Sequence, residues 1–430
     1  MNISVVGAGY VGLTWSALLA DLGHKVWVVR KDKEKSDALR KGKIHFFEPG
    51  LEELVKKDLE EGRLFSTTDY GEAISNSEVI FICVGTPSLA SGAIDLSQVF
   101  IAAEEIGQTL KKGFTVVANK STVPPGTTIQ VRKIIEKNKK NEANFEVAFC
   151  PEFLREGSAV EDTRLPDRVI IGSETTKATK ILQKIHQDFK APLLVTKIAS
   201  AELIKYASNN YLALRIVFAN QLADLCEKSK AAIEEVIEGI GMDKRIGSHY
   251  WYPGLGYGGS CFPKDVAALA AYSRQVGIKD SLFEKMDKLN NQRIGQILQS
   301  VEKKFGAFSK KTIGVLGLAC KRRTDDVRKS PAIKVIEFLQ GKKAKIKAYD
   351  PLAMENAAKV LTKVEFCHEA HQVAEKADAL FVLNDTEAFA KLDYKKIKRI
   401  MKGNFIFDSR NLLDKEEIEG LGFIYEGIGR

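Results

Sequence analysis

Short apolar runs separated by stretches of helical period fill the first half of the chain. Ile3–Val6, Lys25–Val29, Val79–Val84, Thr115–Asn119, Glu146–Cys150 and Val169–Ile171 have strand length and strand composition, with amphipathic segments between them. That alternation predicts a parallel sheet with helices on both faces. It stops between Ala199 and Arg293. Ala199–Lys228, which contains neither Pro nor Gly, predicts one helix too long for an ordinary α/β unit. After Phe305-Gly306 the alternation resumes at Thr312–Leu316, Lys345–Tyr349, Ala379–Leu383 and Asn404–Phe407. The two blocks echo each other: Ile3–Gly9 resembles Ile313–Ala319, and Gly85-Thr86 after one strand matches Asp385-Thr386 after another.

Bulk properties narrow the class. A chain of 430 residues exceeds one ordinary core, so two or three domains are expected. Apolar content of 44% and charged content of 28% fit a globular protein. No apolar run approaches the ~20 residues that span a bilayer, and Ile3–Val6 begins a strand at once, which leaves no room for a signal peptide. The cysteines at 83, 150, 226, 261, 320 and 367 are scattered without CxxC pairing, as expected of reduced thiols in a cytoplasm. No metal site is expected: His368 and His371 form an isolated HxxH, better explained as a solvated helix face. The net charge of +9 suits an anionic ligand. Its lysines are spread along the chain and no aromatics interleave with them, so a small phosphorylated molecule is favoured over nucleic acid.

Gly7-Ala8-Gly9-Tyr10-Val11-Gly12 follows a strand and opens a helix. This is the dinucleotide fingerprint in its proper context, and it predicts α/β architecture with a Rossmann domain. With the echo in the second block, the expected fold is two Rossmann-like doubly wound domains joined by a central helical domain with a long spine helix. The boundaries are 1–197, 198–300 and 301–430. The second strand departs from the pattern. An acid normally ends it and binds the ribose hydroxyls, whereas here Arg30-Lys31 follow Val29 and Asp32 comes two residues late. A positive pair suits the 2′-phosphate of NADP; alternatively Asp32 or a backbone group serves the ribose of NAD and Arg30 stacks on adenine. Three further segments end strands and enter loops: Cys83–Pro87, Lys120–Gly126 and Pro151–Gly157. Ligands collect at that edge of such a sheet.

Tyr257-Gly258-Gly259-Ser260-Cys261-Phe262-Pro263-Lys264-Asp265 is the most informative stretch. Two glycines permit close backbone approach to a ligand. A lysine or a helix N-terminus beside the sulfur would favour the thiolate, and an aspartate one turn beyond could relay protons. A buried structural cysteine beside a glycine turn is the alternative for such a residue taken alone.

Taken together, Gly7–Leu13, Glu48–Leu51, Gly85–Pro87, Ser121–Pro124, Pro151–Gly157, Ala201–Lys205, Gly258–Asp265 and Gly317–Pro331 give the whole chain, Met1 to Arg430, a resemblance to the UDP-glucose/GDP-mannose dehydrogenase family. The resemblance implies NAD-dependent four-electron oxidation of a sugar C6 alcohol to a carboxylate, here UDP-glucose to UDP-glucuronate, with the active site between the two α/β domains. Cys261 is implied as the nucleophile that forms a thiohemiacetal and then a thioester. Lys205 and Asn209, four apart on one helix face, would stabilise charge on the C6 oxygen. Asp265, through a water, and Thr122 match proton-handling positions, and Glu152 matches the residue of thioester hydrolysis. On the cofactor side stand Gly7, Gly9, Tyr10, Val11, Gly12, Arg30, Lys35, Thr86, Thr122, Glu152, Lys264 and Arg328. On the substrate side stand Phe153, Leu154, Arg155, Lys205, Asn209, Tyr250, Gly258, Lys321 and Arg410, with Arg245 supplied across a dimer interface in some members. The long helix would form the core of a homodimer. Cys320 stands where the family usually has phenylalanine. Phe262 favours UDP-glucose, because leucine is usual there in the GDP-mannose branch. The alternatives are the same chemistry on GDP-mannose or a UDP-hexosamine, and a two-electron dehydrogenase of the β-hydroxyacid type that needs no cysteine.

Overall fold

The computed structural model describes residues 1–140 and 142–430. They divide into two compact units, Met1–Ser208 and Asn209–Arg430.

In the first unit the apolar runs become a sheet of eight strands. They are β1 (Asn2–Val6), β2 (Lys25–Val29), β3 (Leu64–Thr67), β4 (Val79–Ile82), β5 (Gly113–Asn119), β6 (Ala143–Phe149), β7 (Val169–Ser173) and β8 (Leu193–Thr196), in the order β3-β2-β1-β4-β5-β6-β7-β8. Side chains alternate between the faces of a strand. Ile3, Val5, Val26, Val28 and Phe81 therefore build one core, and Val6, Val29, Ile80 and Ile82 build another. A sheet buried on both faces needs helices on both, which is why its central strands are continuously apolar.

The second unit repeats the plan with β9 (Thr312–Leu316), β10 (Lys345–Tyr349), β11 (Val364–Phe366), β12 (Ala379–Val382), β13 (Phe405–Asp408) and β14 (Ile424–Glu426), in the order β11-β10-β9-β12-β13-β14. All five pairings are parallel. Again two cores form: Ile313, Val315 and Phe381 on one side, Leu316, Leu380 and Val382 on the other. The chain enters this unit along the predicted long helix, which runs Ile198–Ser229. Lys230, at φ +59°, takes the left-handed conformation that ends it.

Three features differ from the sequence expectation. β3, β8, β11 and β14 were not anticipated. They are the short edge strands of the two sheets: β3, β11 and β14 have little unbroken apolar signal, and the apolar run of β8, Leu193–Val195, is exposed. The first sheet is not wholly parallel: β7 runs antiparallel to β6 through Ala148↔Ser173 and Phe149↔Gly172. An antiparallel neighbour needs no crossover, so the loop and short helix Ala159–Arg164 between them suffice. Finally, the His368–His371 segment is not the face of an α-helix. His368 precedes the 3₁₀ helix Ala370–Ala374 and His371 lies within it; His368 N–H donates to Gln372 Oε1 at 3.0 Å and His371 Nε2 lies 3.4 Å from Glu369.

Candidate active site

The glycine turn of the first unit is built by exclusion. Gly7 sits at φ +104°, and a Cβ there would lie 2.4 Å from the carbonyl oxygen of Cys83. A Cβ on Gly12 would lie 2.0 Å from the carbonyl oxygen of Gly7. These two glycines allow strand, turn and helix to close on one another. Gly9 differs, because nothing lies within 4 Å of the position its Cβ would take. It is also the N-cap of helix Tyr10–Asp21, and no side chain caps that end. An open approach to the N-terminus of a helix is where a pyrophosphate binds, so the residues present fit a dinucleotide.

Arg30 directly follows β2, buried at 9% exposure. Asp32 caps helix Lys33–Arg40, accepting from Lys35 N–H at 3.1 Å. Lys35 pairs with the same carboxylate. Thr86 is buried and Thr122 half-buried in the loops after β4 and β5.

The Pro151–Gly157 loop after β6 is fastened at several points. Glu48, buried, accepts from the N–H groups of Gly157 and Ala159, each at 2.7 Å. Lys120 Nζ donates to the carbonyls of Cys150 and Pro151 at 3.3 and 3.4 Å and lies over the Trp15 ring. Burial lowers its pKa. Glu202 on the long helix accepts from Gly126 and Thr128 N–H at 2.6 and 2.8 Å, which fixes the turn after Thr122. None of these three residues is among the expected site residues, although they lie in the segments Glu48–Leu51, Lys120–Gly126 and Ala201–Lys205. Their signal was the motif spacing itself: a polar residue at an otherwise apolar position.

So held, the loop presents Glu152. Its Oε2 accepts from Leu154 N–H at 2.8 Å and its Oε1 lies 3.0 Å from Lys205 Nζ, both side chains being almost wholly buried. Phe153 packs under the Arg168 guanidinium, 3.7 Å from the ring centre, with Lys205 Nζ 5.2 Å from the same ring. Arg155 turns instead to Asp162, through Nε at 2.9 Å and Nη2 at 2.6 Å. Val11, Lys120, Glu152, Phe153, Arg155 and Arg168 help line a cavity of about 270 Å³.

In the second unit Cys261 is exposed, and it is the N-cap residue of helix Phe262–Gln275, with Pro263 in the first turn. A sulfur at a helix N-terminus faces the positive end of the dipole, which favours thiolate. Ser260 Oγ lies 3.6 Å from the sulfur. One turn on, Asp265 N–H donates to the Cys261 carbonyl at 2.9 Å. The Asp265 side chain is buried and receives Asn209 Nδ2 at 2.6 Å and Lys264 Nζ. Asn210 Nδ2 donates to the Asp265 backbone carbonyl at 3.2 Å.

The loop leading to Cys261 is latched from the side. Gly254 N–H donates to Asn220 Oδ1 at 2.8 Å, and Arg293 Nε donates to the Gly254 carbonyl at 3.1 Å. Asn290 accepts from Tyr257 N–H at 2.8 Å and donates back to its carbonyl at 3.0 Å. Asn290 and Arg293 share the buried face of helix Leu282–Phe305 with Met286, Ile297 and Val301. Polar residues interrupting an apolar stripe were the sequence signal that would have found them.

Several expected substrate residues gather on this loop. A Cβ on Gly258 would meet Lys329 O at 2.6 Å, and one on Gly254 would lie 3.4 Å from Arg410 Nη1. A Cβ on Gly259 would lie 3.9 Å from Cys320 Sγ. Tyr250 holds φ +65°, its ring 6.3 Å from Phe262. Lys321 lines a second cavity, of about 320 Å³, with Thr324, Asp350 and Thr386 at the carboxyl edge of the second sheet. Arg328 is bound to Asp326 at 2.8 Å through Nε and Nη2. Arg245 is highly exposed and bound to Asp243.

A glycine turn shaped for a pyrophosphate, on a sheet wound on both faces, defines a protein of the dinucleotide-binding class. Three domains of one family match in order: the NAD binding domain over 1–190, the central domain over 199–292 and the UDP binding domain over 314–415. The chain belongs to the UDP-glucose/GDP-mannose dehydrogenase family. It is 43% identical over 437 aligned residues to a UDP-glucose 6-dehydrogenase of Rhizobium meliloti, covering 100% of both chains. It is 41% identical over 430 residues to one of Bacillus subtilis, covering 100% of this chain and 93% of that one. Among solved structures, a UDP-glucose dehydrogenase from Pyrobaculum islandicum superposes with a TM-score of 0.93 at 36% identity, over 99% of this chain and 97% of that one. A UDP-D-ManNAc dehydrogenase from Pyrococcus horikoshii gives 0.87 at 29% identity, over 100% and 99%. No helix among the described residues is long and apolar enough to cross a membrane.

Proposed function

We propose that this protein oxidises the C6 hydroxyl of UDP-glucose to the carboxylate of UDP-glucuronate, with Cys261 as covalent nucleophile and two nicotinamides reduced per sugar. Bound NAD supplies the acceptor for both oxidations. The single observation that supports the mechanism most is the exposed Cys261 at a helix N-terminus, with buried Asp265 one turn behind it, held by Asn209 and Lys264. Gly7, Gly9 and Gly12, with Tyr10 and Val11 opening the helix, would hold the pyrophosphate, and Thr86, Lys264 and Arg328 would complete the cofactor side.

The residues divide the labour as follows. Asp265, through a water, and Thr122 take the hydroxyl proton in the first oxidation. Lys205 and Asn209 stabilise the C6 oxygen as it gains charge. The Cys261 thiolate adds to the aldehyde carbon, and the resulting thiohemiacetal is oxidised to a thioester. Sulfur suits both halves, since it attacks an aldehyde and leaves from an acyl group. Glu152 activates the water that cleaves the thioester, which returns the thiolate and releases the carboxylate. Phe153, Leu154, Arg155, Tyr250, Gly258, Lys321 and Arg410 grip the nucleotide sugar, its pyrophosphate charge met by cations.

The same reading divides the chain at 197 and 300. It makes the long helix the core of a homodimer to which Arg245 contributes. Tyr211, Phe218 and Leu225, at least half exposed and seven apart, support that apolar seam. Six cysteines, none of them in a disulfide, support a reducing compartment, the cytoplasm. A panel of UDP-glucose, GDP-mannose and UDP-N-acetylhexosamines, each with NAD, tests the substrate. The expected result is the highest kcat/KM with UDP-glucose, and preference for another sugar would reassign it.

A further inference from the structure

The end of β2 is stitched to the glycine turn, because Gly7 N–H donates to the Val29 carbonyl at 3.0 Å. Arg30 is the next residue, so its side chain starts where the adenosine ribose of a dinucleotide lies in this fold. Its backbone N–H donates to the Thr67 carbonyl at 2.9 Å, which fixes the strand end. Arg30 Nη1 and Nη2 each lie 3.4 Å from His45 Nδ1. A guanidinium carries only donors, so Nδ1 accepts and the imidazole facing Arg30 is neutral. Among the described residues no carboxylate lies within 4.0 Å of the guanidinium, the distance that defines an ion pair. The acid nearest in sequence, Asp32, acts on Arg30 only through space, beyond ion-pair distance, and its carboxylate is engaged by the Lys35 N–H at 3.1 Å and by Lys35 Nζ at 3.6 Å.

The result is a buried cation with a neutral partner at a ligand edge. Such a charge is costly unless an anion completes it. A ribose carrying two hydroxyls offers none. A 2′-phosphate offers a dianion with a geometry that a guanidinium matches in bidentate fashion. We infer that Arg30, with Lys35 at the rim, forms a 2′-phosphate site, so that this chain accepts NADP as well as NAD. The inference rests on the dinucleotide reading of the first unit and is independent of which sugar is oxidised.

Calorimetric titration of the full chain with adenosine 2′,5′-bisphosphate and with 5′-AMP, without sugar nucleotide, tests it apart from turnover. The bisphosphate is expected to bind about tenfold or more tightly than 5′-AMP, the worth of one or two charge-assisted hydrogen bonds. Arg30→Gln should close most of that gap, and NADP affinity should fall with it far more than NAD affinity. Equal affinities of the two nucleotides for the unaltered protein would overturn the site. So would an undiminished gap in a folded Arg30→Gln protein. If that variant fails to fold, the unaltered protein and Arg30→Lys still decide the question. Failure of UDP-glucose as substrate would leave these affinities untouched.

Discussion

Glu152 Oε1 lies 3.0 Å from Lys205 Nζ, with the two side chains 9% and 3% exposed. A buried pair of this kind is strongly destabilised when one partner is removed, by about 3–5 kcal/mol. It also joins the proposed hydrolytic carboxylate to the proposed oxyanion-stabilising amine. Lys205→Ala is therefore expected to lower kcat by about a hundredfold or more. Glu152→Gln keeps the hydrogen bond to Lys205 but removes the base. It should leave a sugar-nucleotide adduct on Cys261 that intact-mass spectrometry detects during turnover. Absence of any adduct, with kcat unchanged, would remove Glu152 from the hydrolytic step.

The cysteines differ in reactivity for a physical reason. Burial pushes the thiols of Cys83 and Cys150 up to about 12, so both stay protonated at pH 7 to 9. Cys261 is exposed at a helix N-terminus. Limiting iodoacetamide at neutral pH should alkylate Cys261 first and abolish activity, with UDP-glucose protecting it. Peptide mass mapping reads the order. Labelling of Cys83 or Cys150 ahead of Cys261 would contradict the assignment.

Two glycines of the fingerprint should fail in different ways. Gly7→Ala places a Cβ 2.4 Å from a backbone oxygen at φ +104°, so it should cost about 2 kcal/mol or more in stability. Gly9→Val meets empty space in the protein. It should melt near the unaltered protein yet bind NAD at least about tenfold more weakly, because the side chain stands where the pyrophosphate approaches. Thermal melts paired with NAD titration separate the two. A Gly9→Val protein that binds NAD normally would refute the pyrophosphate assignment.

His186 sets an acid limit on stability. It is buried against Trp15 and Phe189, which also stack on each other, and its Nδ1–H donates to the Leu182 carbonyl at 2.8 Å. Burial first, and then the Lys120 charge, hold its pKa down to about 3 against an ordinary 6.5, although the Leu182 carbonyl raises it. The unfolded chain therefore takes up a proton at this position below about 6.5 that the folded chain refuses. The stabilising contribution is full above that pH and is lost as pH falls toward 3. His186→Gln, although less stable at neutral pH, should remove up to one proton from the slope of unfolding free energy, about 1.4 kcal/mol per pH unit. Denaturant titrations between pH 4.5 and 7 measure it, and an unaltered slope would be contrary evidence.

Much of this architecture was legible in the sequence, because apolar period and glycine placement are local signals. Val79–Ile82 and Phe405–Asp408 are strands buried on both faces, so their runs are unbroken. β8 has a short apolar run, Leu193–Val195, but it lies exposed at the edge of the sheet, so local pattern alone does not mark it as a core strand. The reversal of β7 depends on where the chain returns to the sheet, which no local pattern encodes. Within the site, Cys261 and Asp265 could be placed on one turn by spacing alone. The latches made by Glu48, Asn220, Asn290 and Arg293 join residues tens of positions apart or more, and only the folded chain brings them together.

The most direct test of the Cys261 mechanism is a count. Purified protein is given limiting UDP-glucose and excess NAD, and the reduced cofactor formed at completion is divided by the sugar consumed. Two per sugar, with UDP-glucuronate as product and almost no turnover in Cys261→Ser, is the predicted result. One per sugar with free aldehyde, or full activity in Cys261→Ser, would contradict it.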